Sequence, residues 1–145
     1  MKKYISLFRM KHWIKNGLIF LPLFCSCTFE LEKIIATLFA FLSFSFMASF
    51  VYIMNDIRDV EKDRNHPRKK ERPIASGEIS IPKAILISIL LIILSIVLNY
   101  VATQKLLNAA LGTLLLYLVN NICYSFGMKN IPIVDVLLLT FGFIL

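Results

Sequence analysis

The sequence predicts an all-α fold: a polytopic bundle of transmembrane helices, of which this chain supplies about five. Hydrophobic residues make up 58% of its 145 positions. The mean hydropathy of +0.75 is higher than that of an ordinary soluble domain. Charged residues are also concentrated, and three of the uncharged intervals between them contain 21 to 23 residues. A helix needs about 20 residues to cross a bilayer, so each of these intervals is long enough.

The uncharged intervals place the helices in one membrane domain that covers residues 1–145. We expect helices at about 16–30, 34–55, 83–104, 106–124 and 131–145, with a loop at about 57–82. The first interval has 14 positions before Glu30 and contains Pro22, which predicts a short or tilted helix. Because the last interval is still apolar at Leu145, we expect the chain to be the N-terminal part of a longer protein.

The positive charges predict the orientation of the helices. Of the 16 Lys and Arg residues, 14 lie before the first helix, in the 57–83 segment or at Lys129. The positive-inside rule therefore places the N-terminus and these connections in the cytoplasm, as in a bacterial-type inner membrane. This arrangement accounts for the net charge of +7, and no nucleic-acid partner is expected.

An acidic pattern, N-D-x-x-D-x-x-x-D, follows the second predicted helix. If that helix continues, Asp59, Asp63 and Asn55 lie at about −60°, −20° and −100° from Asp56, on one face. Carboxylate and amide oxygens suit Mg²⁺, which binds a few carboxylates together with phosphate oxygens. The pattern therefore predicts Asn55, Asp56, Asp59 and Asp63 as metal ligands and the three aspartates as catalytic residues. The alternative is a solvated helix end with surface ion pairs.

A dense basic loop follows the acids directly. Its arginines, Arg64, Arg68 and Arg72, are candidates for binding phosphate beside a metal. Lys69 and Lys70 instead suit contact with anionic lipid. Together, the acids and the arginines predict a site for a diphosphate-bearing donor at the cytoplasmic edge of the bundle.

Other polar residues near the membrane boundary are open to two interpretations. Arg9 and Lys15 lie at the depth of a lipid phosphate, but they equally suit orientation of the first helix. Asn120, Asn121 and Tyr124 either line a cavity or form hydrogen bonds between helices.

Several ordered motifs resemble a known family, the UbiA-type intramembrane prenyltransferase superfamily. The Asn55–Asp63 segment resembles its first aspartate motif, and Arg72–Gly77 resembles the R-P-[IL]-x-[AS]-G that follows. Arg9–Asn16 resembles the R-x-x-x-W-x-K-N of the decaprenyl-phosphate phosphoribosyltransferase branch. Tyr124–Lys129, followed by a proline and Asp135, resembles the connection between the fourth and fifth helices of that branch.

The resemblance implies an all-helical bundle of about nine transmembrane helices, with a second acidic motif that these 145 residues do not contain. It also adds Tyr124, Lys129 and Asp135 as candidate substrate-binding residues. An ion pair between Lys129 and Asp135 that fixes the fifth helix is an alternative role for these two residues.

The activity implied is the Mg²⁺-dependent transfer of a 5-phosphoribosyl group from phosphoribosyl diphosphate to a polyprenyl phosphate in the membrane, as in the synthesis of a cell-wall precursor. The first alternative is transfer of a prenyl group from a prenyl diphosphate to an aromatic acceptor. An alternative of another class is a non-enzymatic membrane or cation-binding subunit, in which loss of Asp59 has no effect.

Overall fold

The computed structural model of the chain describes residues 2–27, 29–105 and 107–125. All of its regular elements in these ranges are helices, which confirms the predicted all-α fold. The α-helices are α1 (Lys2–Leu7), α2 (Leu21–Cys25), α3 (Leu31–Arg58), α4 (Val60–Arg64), α5 (Ile81–Thr103) and α6 (Ala109–Ser125). Two 3₁₀ helices cover Met10–Phe20 and Lys69–Glu71.

The two longest helices, α3 and α5, pack against each other and form the centre of the structure. Both helices are long and apolar enough to cross a membrane, and a shorter apolar helix covers Ala109–Ile122. Extended backbone at Ser80 and Pro82 in the first turn begin α5, and Gln104 ends it in a left-handed conformation with φ of 55°. Along α5, Leu86, Leu90 and Ile93 are more than half exposed, as suits side chains that face lipid.

Small polar side chains hold α3 and α5 together. The hydroxyl of Ser43 donates to the carbonyl oxygen of Ser95 at 2.7 Å, and that of Ser95 donates to the carbonyl of Ser43 at 2.8 Å. Both serines are almost completely buried. Their small size lets the two backbones approach closely, and the hydroxyls satisfy each other's polar groups inside an apolar seam.

The N-terminal segment differs from the single membrane helix expected at 16–30. A 3₁₀ helix runs to Phe20, Pro22 lies in the first turn of the short helix α2, and the chain turns at Cys27 with φ of 50°. Side-chain contacts explain this conformation. Trp13 Nε1 donates to Ser49 Oγ at 3.0 Å, and Asn16 Nδ2 donates to Ser45 Oγ at 3.0 Å. These bonds fix the segment along α3.

A compact apolar cluster lies where α3 ends. Leu7 of α1 packs there with Ile53 of α3, Ile74 and Ile79 of the following loop, and Leu91 of α5. Burying these five side chains stabilises the fold of the loop, because each loses its contact with water. The cluster therefore fixes the loop against the end of α3.

The N-terminal helix α1 is also tied to α5. Lys83 Nζ lies 5.8 Å from the centre of the Tyr4 ring. A hydrogen bond from Lys83 to the Tyr4 hydroxyl, with the positive charge of that lysine, lowers the pKa of Tyr4 from its ordinary value. This contact holds α1 beside the first turn of α5.

The remaining helix bounds shift by a few residues from those expected. The second expected helix, 34–55, is longer and covers Leu31–Arg58, while 83–104 corresponds to Ile81–Thr103 and 106–124 to Ala109–Ser125. The expected 57–82 loop contains α4 and the 3₁₀ helix Lys69–Glu71. The helix expected at 131–145 lies outside the described residues.

Candidate active site

Two of the predicted aspartates come together at the end of α3. Asp56 lies in the last turn of α3 and is 3% exposed, and Asp63 lies in α4 and is 2% exposed. A buried carboxylate is costly unless a positive charge or hydrogen-bond donors face it. The pair therefore needs positive charges or hydrogen-bond donors beside it whenever both carboxylates are ionised.

Arg72 is the neighbour that joins the two carboxylates. Its Nη1 donates to Asp56 Oδ1 at 3.1 Å and to Asp63 Oδ2 at 2.6 Å. One nitrogen thus lies between two carboxylate oxygens that belong to different helices. The Arg72 side chain is 28% exposed, so it is partly open to solvent.

A folded turn places Arg72 at this point. The amide of Ser76 donates to the carbonyl of Arg72 at 2.8 Å, and the amide of Ile79 donates to that of Pro73 at 2.9 Å. Gly77 has φ of +82°, a conformation that glycine adopts without steric cost. Since Ile74 and Ile79 are buried in the apolar cluster, the turn holds the arginine over the aspartates.

Arg9 is a second cation on Asp56. Its Nη2 donates to Asp56 Oδ1 at 2.6 Å, and its guanidinium lies 4.6 Å from the centre of the Tyr52 ring. The His12 ring lies beside the same tyrosine at 5.8 Å. Arg9 itself has φ of 50°, a left-handed conformation that is uncommon for a non-glycine residue. In this position Arg9 ties the N-terminal segment to the acid pair.

The acidic stripe does not continue on one unbroken helix. α3 ends at Arg58, and Asp59 has φ of −93° and ψ of 12° between α3 and α4. Asp59 is half-buried. Within residues 2–27, 29–105 and 107–125, no three His, Cys, Asp or Glu side chains are grouped closely enough to hold a metal ion. Thus Asp56 and Asp63 pair through Arg72, and Asp59 is not grouped with them.

The other predicted cations lie in different surroundings. Arg64 Nη1 pairs with Glu61 at 2.8 Å on the exposed surface, and Arg68 is also exposed. Lys69, which the sequence assigned to lipid, places its Nζ 4.0 Å from Asp63 Oδ1. Lys69 is therefore a cation at the acid pair that sequence reasoning missed, whereas the guanidinium of Arg64 faces Glu61.

A cavity of about 960 Å³ lies between the 3₁₀ helix Met10–Phe20 and helices α3, α5 and α6. Tyr52 lies one helical turn before Asp56 and Asn55 lies one residue before it, and both line the cavity together with Lys15. Polar side chains also line it from the other helices: Asn99, Thr113, Tyr117, Asn120 and Asn121. The cavity thus combines an apolar wall with polar groups, a composition typical of ligand sites.

Three predicted site residues have no described side chain. Tyr124 belongs to the last turn of α6, but its side chain is outside the described part of the structure. Lys129 and Asp135 lie entirely outside the described residues. Their predicted roles in substrate binding stay predictions.

The acid pair fits a divalent cation in the chemistry of its donors. Two carboxylate oxygens from Asp56 and Asp63 already face one positively charged nitrogen of Arg72. Mg²⁺ is commonly held by one or two carboxylates, with water and substrate phosphate oxygens completing its coordination. The amide of Asn55 lies one residue before Asp56. Asp56 and Asp63 are therefore the residues that would hold such an ion.

Sequence reasoning missed the contacts of Arg9 and Tyr52. A signal for Tyr52 was present, because it precedes Asp56 by four residues and so shares its face of α3. Arg9 is 47 residues from Asp56, and no local periodicity connects them. Trp13 and Asn16, which belong to the N-terminal motif, donate hydrogen bonds that fix the 3₁₀ helix to α3.

Known proteins resemble the chain over most of its length. It is 39% identical to a decaprenyl-phosphate phosphoribosyltransferase of Corynebacterium glutamicum, over 97% of this chain and 43% of that protein. A protein with the same name from Mycobacterium tuberculosis is 31% identical, over 97% of this chain and 47% of the relative. A digeranylgeranylglyceryl phosphate synthase of Methanocaldococcus jannaschii is 34% identical, over 68% of this chain and 34% of that protein. The chain thus spans less than half the length of these relatives.

A family model gives the broader assignment. The model described as the UbiA prenyltransferase family matches residues 20–145. The match includes α3, the acid pair and the Arg72 turn. The chain belongs to the UbiA prenyltransferase family, whose members are integral membrane proteins.

Proposed function

We propose that the full-length protein transfers a 5-phosphoribosyl group from phosphoribosyl diphosphate to a polyprenyl phosphate, with Mg²⁺ at Asp56 and Asp63. The observation that carries this proposal is the contact of one Arg72 nitrogen with both buried carboxylates. Acids that hold a divalent cation beside an arginine suit a diphosphate, because both cations face its oxygens. The two phosphoribosyltransferase relatives support the choice of donor.

In this reaction a phosphate oxygen of the acceptor attacks C1 of the ribose. The bond between C1 and the diphosphate oxygen breaks, and the diphosphate leaves with the bonding electrons. Mg²⁺, when bound, neutralises negative charge that develops on the leaving group. Arg72 lies beside the same carboxylates and is partly exposed, so it is placed to donate hydrogen bonds to the diphosphate.

The acceptor enters from the membrane side in this proposal. The cavity next to Asn55 and Tyr52 lies between helices and has an apolar wall, which suits a lipid chain. Lys15 lines the same cavity and is the candidate partner of the acceptor phosphate. A membrane-bound acceptor and a soluble donor then meet at the cytoplasmic end of α3.

Donor choice tests the proposal directly. Membranes that contain the full-length protein are supplied with Mg²⁺ and either labelled phosphoribosyl diphosphate or labelled prenyl diphosphate. We expect a labelled lipid phosphate with the first donor. A labelled prenylated aromatic product with the second donor alone would contradict the proposal and support the alternative.

Prenyl transfer is the second candidate function. The similarity to the digeranylgeranylglyceryl phosphate synthase favours it, because that relative matches 68% of the chain. The same acids would then face the diphosphate of a prenyl donor. The non-enzymatic alternative predicts no turnover of either donor.

A further inference from the structure

Arg72 donates to both Asp56 and Asp63, the two residues at which the proposed function, on which this inference rests, places a divalent cation. Both carboxylates are at most 3% exposed, so they require a positive charge whenever they are ionised. In the structure Arg72, Arg9 and Lys69 provide this charge. The acid pair is thus neutralised by cations of the chain itself.

A bridging divalent cation and the present Arg72 contact exclude each other. Arg72 Nη1 lies 3.1 Å from Asp56 Oδ1 and 2.6 Å from Asp63 Oδ2, in the space that a cation bridging these two oxygens would take. Mg²⁺ binds its ligand oxygens at about 2.0–2.1 Å. A guanidinium and a metal ion cannot both lie between these oxygens, because they would overlap and repel each other.

Arg72 and Arg9 differ in how they are held. Arg9 donates to the same oxygen, Asp56 Oδ1, but its guanidinium also lies over the Tyr52 ring, so it has a partner besides the carboxylate. The backbone of Arg72 is fixed by its turn, its guanidinium donates to the two aspartates, and its side chain as a whole is 28% exposed. Rotation of its long side chain suffices to move the guanidinium toward solvent, where a diphosphate would approach.

We propose that Arg72 is the resident counter-ion of the Asp56–Asp63 pair and exchanges with a divalent cation. In the metal-free state the guanidinium is held by the carboxylates. Binding of the cation releases it to face the donor diphosphate. Arg72 thereby couples the two ligands: the metal must displace it, and the diphosphate stabilises the displaced position.

Metal binding to the full-length protein tests this exchange without turnover. Mn²⁺ is titrated in detergent solution and free Mn²⁺ is measured by electron paramagnetic resonance. We expect Arg72→Gln to bind Mn²⁺ roughly 10-fold more tightly than the wild type, within the range typical of coupled sites. Lys70→Gln is the matched control, because it removes one charge from an exposed side chain of the same loop. Equal gains in both variants, or no gain in Arg72→Gln, would overturn the proposal.

Inorganic pyrophosphate provides the reciprocal measurement. In the wild type, pyrophosphate should tighten Mn²⁺ binding, partly because it holds the released guanidinium. In Arg72→Gln this tightening should fall by roughly 10-fold, whereas Lys70→Gln should retain it. Undiminished tightening in Arg72→Gln would contradict the coupling.

A measurement on the unmodified protein covers the case in which Arg72→Gln does not fold. Phenylglyoxal modifies accessible guanidinium groups, and mass spectrometry of the peptides quantifies modification of Arg72. We expect Mn²⁺ to increase this modification and added pyrophosphate to decrease it again. Modification that Mn²⁺ leaves unchanged or lowers would overturn the proposal.

These binding experiments and the donor assay fail independently. Exchange of Arg72 without phosphoribosyl transfer would reject the proposed function alone. Phosphoribosyl transfer together with unchanged Mn²⁺ affinity in Arg72→Gln would reject the exchange alone.

Discussion

Asp56 shows how a buried charge determines the roles of its neighbours. The sequence placed Arg9 at the membrane boundary, either as a partner of a lipid phosphate or as a residue that orients the first helix. In the structure its guanidinium contacts Asp56 at 2.6 Å and lies over Tyr52. Breaking a buried pair by removing one partner is costly, because the remaining charge loses its counter-ion. Arg9 is thus a positioning residue for Asp56.

A double-mutant cycle measures this contact. The free energy of unfolding is determined for the wild type, Arg9→Gln, Asp56→Asn and the double variant in mixed micelles. Because the two side chains share a short charged hydrogen bond, we expect a coupling energy of about 1–3 kcal/mol.

The exposed pair Glu61 and Arg64 provides the control for this cycle. Its atoms also approach to 2.8 Å, but both side chains are about half or more exposed. Solvent screens such a pair, so we expect a coupling of about 0.2–1 kcal/mol. Equal coupling in the two pairs would contradict the structural role assigned to Arg9.

Residue chemistry predicted part of this site. The acidic and basic motifs identified Asp56, Asp63 and Arg72, because their spacing and charge indicate diphosphate chemistry. Local periodicity did not predict the break at Asp59, since it assumes that the helix continues through the acids. The contact of Arg9 depends on tertiary packing, which no spacing rule contains.

At the scale of the elements, the 3₁₀ helix Met10–Phe20 depends on serines of α3. Ser49 Oγ accepts a hydrogen bond from Trp13 Nε1 and lies 2.8 Å from the carbonyl oxygen of Phe8. The Trp13 ring also packs edge-on against Phe46 at 5.7 Å. The segment is therefore held to α3 by hydrogen bonds as well as apolar contact.

Trp13, the single tryptophan of the chain, reports this docking. Ser49→Ala removes the acceptor, so the indole N–H needs water as a partner. We expect a red shift of tryptophan emission, stronger acrylamide quenching and a loss of about 1–3 kcal/mol in the free energy of unfolding. Thr37→Ala in the same helix is the control, because its hydroxyl bonds to Lys33 of α3 itself. Unchanged emission in Ser49→Ala would contradict the docking.

The seam between α3 and α5 makes a separate prediction. Ser95 is 0% exposed, and its hydroxyl lies 2.8 Å from the Ser43 carbonyl oxygen. Ser95→Val replaces this bond with methyl groups that do not fit, so we expect a loss of about 1–3 kcal/mol in the free energy of unfolding. Ile96→Val, at a partly exposed neighbouring position, should change it by about 0.5 kcal/mol or less. Similar losses in both variants would show that the seam is loosely packed.

The elements were predictable to different degrees. Hydropathy located α3, α5 and α6 within a few residues, because a bilayer imposes a minimum length on an apolar helix. The N-terminal segment was not predicted correctly in detail. Its 3₁₀ conformation depends on the bonds of Asn16 to Ser45 and of Trp13 to Ser49, whose partners lie 29 and 36 residues apart in sequence.

At the scale of the whole molecule, membership of the UbiA prenyltransferase family agrees with the bundle that composition predicted. The acid pair and the Arg72 turn lie at one end of α3, and the cavity extends along that helix from Ala40 to Asn55. In the proposed reaction, a lipid chain would remain among the helices while a soluble donor reaches the carboxylates from water. The chain contains one such acidic motif and spans less than half of its relatives' length.

The most direct test of the central claim compares two acidic residues that lie two positions apart in α4. Asp63 is buried against Arg72, and Glu61 is exposed and paired with Arg64. In the full-length protein, kcat/KM for labelled phosphoribosyl diphosphate is measured for Asp63→Asn and Glu61→Gln. We predict a loss of roughly 10²–10³-fold for Asp63→Asn, as for other preorganised electrostatic groups, and near wild-type activity for Glu61→Gln. Near wild-type activity in a folded Asp63→Asn variant would contradict the claim that the acid pair is the donor site.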